Sequence, residues 1–420
     1  MRTSKTKKIK VINEKTLIVA LDIGKSFHYA YFRAPKGKEV ASFKVFNTRK
    51  SLNRLWKQIR VFRDAQGLSE IVVGFEATGP YAEPLFHFMR TKPVKLVQIN
   101  PVHSKRLKEL TGNSPNKTDK KDPRVIADVI GLGHSLTLVI PKGAAAHLRR
   151  LTHARERAMK SRTAMLNQVQ DLVYLVFPEF GKIIKDVSTK TAQHLIKNYP
   201  APQEIVGLGL ESLYSLVRKV SRGRIGKDRC NCLYNAARKS VGICEGTESI
   251  VLEISHLMCA IETKQEFIVE LERQMARCLD DIPYSRSLLS IRGLAVVTVA
   301  GLIGEVGDFT QFDTIAEITK LAGLDLYEVS SGKHKGQRRI SKRGRPLMRK
   351  LLFFAALNAI NPHGMMHTTY QEMLARGMVK MKALIAIARK MLRIIFAVAR
   401  DNTLYVDNYS NNKHNEKIAA

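Results

Sequence analysis

The chain has 420 residues, of which 45% are hydrophobic, so it is long enough for two or three domains with buried cores and is not a disordered tail. Lysine and arginine number 70 against 37 aspartate and glutamate residues, and the resulting net charge of +33 is spread along the whole length. So large a positive charge opposes compaction unless a polyanion neutralises it, which favours a nucleic-acid enzyme over a merely soluble basic protein.

The sequence also bears on the cellular compartment. The N-terminus is charged with no apolar stretch behind it, and no apolar run reaches ~18 residues, so neither a secretion signal nor a membrane span is expected. The cysteines are odd in number and lack zinc-finger spacing. We therefore expect reduced thiols in a cytoplasmic protein. The cysteines are Cys230, Cys232, Cys244, Cys259 and Cys278.

A basic arm over residues 1–15 precedes a region that combines strand-like and helix-like patterns. Apolar, β-branched runs predict strands at 16–23, 27–33, 71–75 and 94–100. Helical spacing of apolar residues predicts helices at 52–66, 81–90 and 103–110. Strands that alternate with helices predict an α/β sheet domain over 16–140.

Four carboxylates stand at the ends of these elements or just after them. Asp22 ends the first predicted strand, Glu76 follows the run at 71–75, and Asp119 and Asp122 lie in the basic stretch KTDKKD. Each alone has an ordinary alternative as a turn-forming or helix-capping acid. Together they match a ribonuclease-H-like nuclease site, in which acids on two strands and a following helix hold two divalent ions about 4 Å apart. Carboxylates suit this role because Mg²⁺ prefers oxygen ligands.

Pro123 leaves two interpretations of the last two acids. If one helix contains Asp119 and Asp122, their spacing puts both on the same helix face. A proline in a helix interior, however, removes a hydrogen bond and clashes with the carbonyl four residues back. In the alternative, the helix starts at Asp122 with Pro123 at its first position, and Asp119 lies in the preceding loop.

The middle region, 141–281, is predicted to be helical. Apolar residues over 245–279 recur at spacings that predict a coiled-coil seam or one helix of an antiparallel pair, and they suggest self-association. The predicted helix at 144–177 carries many basic residues, for which a phosphate-tracking face is at least as favoured as a solvated one. These residues are Arg149, Arg150, Arg155, Arg157, Lys160 and Arg162.

The C-terminal region is predicted to be a mostly helical domain over 282–405, followed by a polar tail at 406–420. A helix–glycine–helix pattern at 288–306 is similar to a DNA-binding helix-hairpin-helix, with simple helix packing as the favoured alternative. Further on, Ser330 and Ser331 lie in a basic loop, where a serine could attack a phosphate whose charge the cations neutralise. A phosphate-contacting or capping serine is the alternative. The basic residues are Lys333, Lys335, Arg338, Arg339, Lys342 and Arg343.

Several motifs in this order resemble a known family. LDIGKS, FEATGPY, INP and NKTDKKD in the first part, and SIRGL, LAGLDLYEVSSG and ISKRG further on, resemble the DEDD transposases of the insertion-sequence "one-ten" family, which are related to the Piv DNA invertase. The resemblance extends over essentially the whole chain. It implies an RNase H/RuvC-like N-terminal domain, a helical and coiled-coil middle and a C-terminal transposase domain.

The resemblance also implies a chemistry. Asp22, Glu76, Asp119 and Asp122 would hold two Mg²⁺ ions, with Mn²⁺ as an alternative. Ser331, with Ser330 as second candidate, would be the nucleophile and form a transient phosphoserine link to DNA. The enzyme would thus be a DNA transposase or site-specific recombinase that cuts and rejoins donor and target DNA.

Partners follow from the same resemblance. A structured noncoding "bridge" RNA would guide the enzyme by pairing with both donor and target DNA, and the basic residues would bind the backbones of RNA and DNA. The family assembles as dimers joined into a tetramer through the middle helices.

The chain departs from the family pattern at a few positions, and two other functions stay open. Pro123, Leu326, Arg292 and Ala295 replace more usual residues, which affects the helix start and the hairpin but removes no chemical group. The alternatives are a RuvC-like, structure-specific nuclease without serine chemistry and a catalytically inactive nucleic-acid-binding protein.

Overall fold

The computed structural model describes residues 12–76, 79–111, 122–137, 140–328, 336 and 338–407. The chain divides into two compact units, residues 1–139 and 140–420. Within the described residues, no helix is both long and apolar enough to cross a membrane, and the cysteines are free thiols.

Unit 1 is built on a mixed β-sheet. Its strands are β1 (Thr16–Asp22), β2 (His28–Arg33), β3 (Glu39–Val45), β4 (Glu70–Glu76), β5 (Lys95–Ile99) and β6 (Ser135–Thr137). They lie in the order β3-β2-β1-β4-β5-β6. The central strands β1, β4 and β5 are parallel to one another, whereas β2, β3 and β6 pair antiparallel with their neighbours. This order and the mixed α/β architecture are consistent with the expected RNase H-like domain.

Helices cover both faces of this sheet. Alternate β1 residues such as Leu17 and Leu21 pack with Leu55 and Leu85 of the first two helices, while Ile18 packs on the other face with residues of the fourth. Burial on both faces explains why β1 and β4 read as continuous apolar runs in the sequence. The helices are α1 (Arg49–Ala65), α2 (Glu83–Met89), α3 (Pro101–Thr111) and α4 (Asp122–Gly131), with short 3-10 turns at Pro35–Gly37 and Gly79–Ala82.

The described part of α4 begins at Asp122, and Pro123 lies in its first turn. Proline is tolerated there because the first amides of a helix have no intrahelical acceptor. Residues 112–121 lie outside the described residues, so both interpretations of the helix start stay predictions. The expectation that Asp119 and Asp122 share a helix face falls partly on residue 119, which lies outside the described residues.

Unit 2 contains two 34-residue helices, α5 (Gly143–Val176) and α11 (Thr247–Asp280). Leu148 near the start of α5 shares a core with Leu279 near the end of α11, and Arg155 Nε donates to Glu272 at 2.7 Å. The two helices therefore run antiparallel, as one of the sequence alternatives predicted. Their other ends enclose a second core with α6 (Phe180–Ile183), α7 (Lys190–Asn198), α8 (Pro202–Leu208), α9 (Leu210–Ser221) and α10 (Lys227–Arg238).

The rest of unit 2 is mostly helical and packs around the other core of this unit. The C-terminal helix α17 contributes Ile387, Met391 and Ile395 to that core. The helices are α12 (Ser285–Leu289), α13 (Val296–Val306), α14 (Ile315–Ala322), α15 (Pro346–Ala359), α16 (His367–Ala375) and α17 (Lys380–Asp401). A 3-10 turn lies at Phe309–Gln311, and strands β7 (Leu326–Tyr327) and β8 (Arg339–Ile340) form an antiparallel ribbon.

Helices α5 and α13 approach closely at Gly304. A Cβ atom added to Gly304 would lie 2.7 Å from the backbone nitrogen of Arg149 and 2.8 Å from its Cα. The next residue, Glu305, is 2% exposed and accepts hydrogen bonds from Arg149 at 3.1 Å and from His153 at 2.8 Å. Arg345, just before α15, donates to the Glu305 backbone carbonyl. One buried carboxylate thus joins α5, α13 and the start of α15.

Candidate active site

Asp22 and Glu76 end two adjacent parallel strands at the same level. Leu21 of β1 pairs with Phe75 of β4, so the residue that follows each of them lies one strand spacing away, about 4.8 Å between neighbouring strands. Two carboxylates so close repel each other unless positive charge lies between or beside them. The sheet edge therefore holds two of the four predicted acids.

The same two acids face the side of the sheet that α4 covers. Side chains alternate along a strand, so Asp22 points to the same face as Ile18 and Ala20. Glu76 likewise shares its face with Val72 and Gly74. Ile18, Ala20 and Val72 pack against α4, the helix that begins with Asp122. Two of the predicted acids thus point to the face of the sheet that is covered by the helix on which a third, Asp122, lies.

Gly74 allows α4 to approach this face. A Cβ atom there would collide with Ile130 Cδ1 and lie 2.9 Å from Val97 Cγ2. Because the glycine has no side chain, Ile130 occupies that space directly over β4. The glycine therefore fixes how closely the helix carrying Asp122 lies to the strand carrying Glu76.

Asp122 forms an ion pair with a lysine that was not predicted as a site residue. Lys108 Nζ on α3 lies 2.7 Å from Asp122 Oδ1. The N-terminal position on α4 also favours a negative charge, because the helix dipole and unpaired amides are positive there. Lys108 thus supplies the positive charge that an acidic site requires. In the sequence, Lys108 was only one of several cations on a predicted basic helix, so nothing singled it out.

The acids fit a hard divalent cation by donor type. Asp22, Glu76 and Asp122 offer carboxylate oxygens, which Mg²⁺ prefers. Among the residues that the structure describes, however, no three His, Cys, Asp or Glu side chains lie close enough together to hold a metal ion. Asp119, the fourth predicted ligand, lies outside the described residues.

Both serine candidates lie between the ribbon strands β7 and β8 in the sequence. On the described side of this segment, Ser341 Oγ donates to Asp325 Oδ1 at 2.5 Å, and the Ser341 amide donates to the Asp325 carbonyl at 2.9 Å. Gly323, at the end of α14, has φ +66°, a left-handed conformation that favours glycine. Ser330, Ser331, Lys333 and Lys335 lie outside the described residues.

Eight of the twelve predicted nucleic-acid-binding cations fall into two groups; Arg150 and Arg162 belong to neither, and Lys333 and Lys335 lie outside the described residues. Arg149, Arg155 and Arg338 form ion pairs with Glu305, Glu272 and Glu328 respectively, and Lys160 lies 3.9 Å from Glu156. Arg157, Arg339, Lys342 and Arg343 are exposed, and none of them has a carboxylate within ion-pair distance in the described parts of the chain. The sequence could not identify the pairing of Arg149 and Arg155, because their partners are more than a hundred residues away.

Two family models match the chain. A transposase model for the DEDD domain of the IS110 family matches residues 19–178. A second model, described as the transposase IS116/IS110/IS902 family, matches residues 285–371. The first match includes all four predicted acids, and the second includes both candidate serines.

Curated relatives agree with these matches. The chain is 25% identical to the 43.6 kDa protein of insertion element IS110 from Streptomyces coelicolor, over 93% of this chain and 95% of the relative. It is 23% identical to the transposase for insertion sequence element IS1111A from Coxiella burnetii, over 69% of this chain and 68% of the relative. It is 31% identical to the pilin gene-inverting protein of Moraxella lacunata, over 31% of this chain and 41% of that protein.

These matches define the class of the protein as a DEDD transposase, a DNA transposase or recombinase by activity. Such transposases generally use divalent metal ions. The chain belongs to the IS110 family of transposases.

Proposed function

We propose that this transposase cuts and rejoins DNA through Ser331, assisted by divalent ions that Asp22, Glu76, Asp119 and Asp122 hold. The observation that carries the proposal is the arrangement of the acids. Asp22 and Glu76 end neighbouring parallel strands in register, and Asp122 begins the helix packed on the face to which both acids point.

The acidic residues would hold Mg²⁺, whose charge supports displacement at a phosphodiester. Lys108 lies where it balances the charge of Asp122. Because a lysine and a divalent ion both neutralise a carboxylate, we expect Lys108 to give way when Asp122 binds a metal.

The covalent step exchanges one phosphodiester for another. The Ser331 hydroxyl oxygen attacks the phosphorus, one phosphorus–oxygen bond of the DNA backbone breaks, and the released deoxyribose hydroxyl takes up the proton. Serine and one DNA end are then joined through the phosphate. Attack by the hydroxyl of another DNA end reverses the step, so rejoining needs no external energy source.

We propose the remaining partners on the resemblance to the family and on charge. A net charge of +33 exceeds what binding one short DNA site requires and suits a complex of guide RNA, donor DNA and target DNA. A dimer, or a tetramer of two dimers, would hold both DNA partners. The middle helices α5 and α11 are the proposed contact region.

The first prediction concerns the nucleophile. Protein purified with its copurifying RNA is incubated with Mg²⁺ and a plasmid that carries the insertion element and its flanks. Wild type should give protein–DNA adducts that resist denaturation by detergent. Ser331→Ala should lower their yield by about a thousandfold or more, because the hydroxyl that forms the ester is removed. RNA binding, measured on the same preparations, should persist.

Matched variants separate the alternatives. Ser330→Ala should keep the adduct, and an adduct lost only in Ser330→Ala would move the nucleophile by one residue. Asp22→Asn should lose both adduct and cleavage. Metal-dependent nicks with free ends and no adduct from wild type would contradict the serine mechanism and support a RuvC-like nuclease. No cleavage with the cognate RNA supplied would support an inactive binding protein.

A further inference from the structure

The ribbon formed by β7 and β8 exposes an aromatic side chain. Tyr327 is 46% exposed, and its cross-strand partner Arg339 is exposed as well. Cross-strand partners point to the same face of a ribbon. The other face carries Leu326 and Ile340, and Ile340 packs against the core of unit 2. Tyr327 and Arg339 therefore point together away from that core.

Exposed cations lie on β8, the strand that pairs with Tyr327, and just after it. Arg339, Lys342 and Arg343 are exposed, and in the described residues none of them has a carboxylate within ion-pair distance. Arg338, by contrast, pairs with Glu328 at 2.9 Å. An exposed ring beside unpaired cations is the combination that binds single-stranded nucleic acid, because bases stack on the ring and phosphates approach the cations.

We propose that Tyr327 and Arg339 form a nucleotide-binding face, on which an unpaired DNA base stacks against the Tyr327 ring while Arg339 neutralises an adjacent phosphate. Any base presents a π-face, so this contact is independent of sequence. This contact would keep a DNA strand unpaired next to the phosphate that Ser331 attacks.

The choice of DNA rests on the proposed function. Only three residues separate Tyr327 from Ser331, and a fully extended chain advances at most about 3.6 Å per residue. The Cα atoms of Tyr327 and Ser331 therefore stay within about 14 Å of each other. A DNA strand advances about 3.4 Å per nucleotide. Wherever Ser331 attacks a phosphate, Tyr327 is thus within a few nucleotides of it.

The second prediction tests base stacking directly. Binding of the full-length protein is measured with fluorescently labelled oligothymidylate and with an abasic oligodeoxynucleotide of the same length and charge. Tyr327→Ala should weaken binding to oligothymidylate by about 5- to 150-fold, the change expected for one lost base stack, and leave abasic binding unchanged. Tyr327→Phe and Tyr327→Trp should retain the preference for bases. Arg339→Gln should weaken both ligands equally, because it removes a phosphate contact.

Tyr174→Ala serves as the matched control, since Tyr174 is a 67% exposed tyrosine on α5, far from the ribbon in sequence; it should bind both ligands as wild type does. Equal affinities of Tyr327→Ala and wild type for oligothymidylate would overturn the proposal. So would dependence on Tyr327 that appears only with oligouridylate, which would assign the face to RNA. A changed oligomeric state of Tyr327→Ala in light scattering would assign it to a second copy of the chain.

The binding test of Tyr327 and the adduct test of Ser331 can fail independently of each other. All variants retain Ser331, and the assay measures binding without cleavage. An adduct that survives Ser331→Ala would therefore contradict the nucleophile assignment while leaving the measured stacking contact intact.

Discussion

Glu305 is a buried carboxylate whose charge several neighbours stabilise. Burial by itself would raise its pKa, but the hydrogen bond from His153 and the positive charges of Arg149 and Arg345 outweigh it, so that the pKa of Glu305 lies below its usual value. Burial and repulsion from Arg149 in turn lower the pKa of Arg345 to about 10, against the opposing effect of Glu305. Both groups are thus charged at neutral pH, and the ion pair is complete.

The third prediction follows from this carboxylate. Glu305→Gln leaves the arginines without a counter-charge, so it should lower the free energy of unfolding of unit 2 by about 3–5 kcal/mol at pH 7. Because the folded-state pKa of Glu305 is lowered, its stabilising effect is fully present above the unfolded pKa, 4.5. The effect is lost as the pH falls from there through the folded pKa. The difference between wild type and variant should therefore shrink below pH 4.5.

Thermal or denaturant unfolding at several pH values provides the measurement. Glu270→Gln is the matched control, because Glu270 pairs with Arg273 on the exposed surface of α11, where an ion pair adds little to stability. A Glu305→Gln variant as stable as wild type at pH 7 would show that the cluster is not an ion pair in solution.

At the scale of elements, the contact between α5 and α13 depends on a missing side chain. The backbone of Arg149 occupies the space where a Cβ atom at Gly304 would lie. Backbone cannot rotate away as the end of a long side chain can, so the two helices would have to separate. This separation would also stretch the hydrogen bonds from Arg149 and His153 to Glu305.

The fourth prediction is that Gly304→Ala destabilises unit 2 by about 3 kcal/mol, the upper part of the usual range for overpacking. Gly181→Ala in α6 is the control, because a Cβ atom there would meet nothing within 4 Å. Gly181→Ala should leave the free energy of unfolding unchanged or raise it slightly, since alanine favours helices more than glycine does. Equal unfolding midpoints for the two variants would contradict close packing at Gly304.

Elements differ in how well the sequence predicted them. β1 and β4 were predicted correctly because burial on both faces leaves an uninterrupted apolar run. β3 and β6 were missed: β3 lies at one edge of the sheet with several exposed residues, and β6 has only three residues at the other edge. The hydrophobic pattern alone therefore locates central strands and misses edges.

At the scale of the whole molecule, the net charge of +33 is not equally available to nucleic acid. Arg155 is paired with Glu272, whereas exposed Arg343 has no carboxylate within ion-pair distance in the described residues. A cation that already has a counter-charge gives up that interaction when it binds a phosphate. Exposed, unpaired cations should therefore make most of the backbone contacts.

The fifth prediction measures this difference. Each phosphate contact adds about 0.9 to the magnitude of the slope of log K against log salt for duplex DNA. Arg343→Gln should reduce that magnitude by about 1, and Arg155→Gln should leave it within error of wild type. Affinity for one DNA duplex, measured over a range of salt concentrations, gives the slopes. A slope for Arg155→Gln that is also reduced by about 1 would mean that Arg155 leaves Glu272 and contacts a phosphate on binding.

Local signals in the sequence were sufficient to predict the transposase family and to nominate its acids. Residue types and strand ends nominated Asp22, Glu76, Asp119 and Asp122, whereas Ser331 was selected through the resemblance to the family, and all five stay predictions as site residues. The surroundings of the acids became visible only in the folded chain. Three contacts join distant segments of the chain. Sheet register places Asp22 beside Glu76, Gly74 lets α4 approach β4, and Asp122 pairs with Lys108. Such contacts are set by packing and by sheet pairing, and no spacing within one segment encodes them.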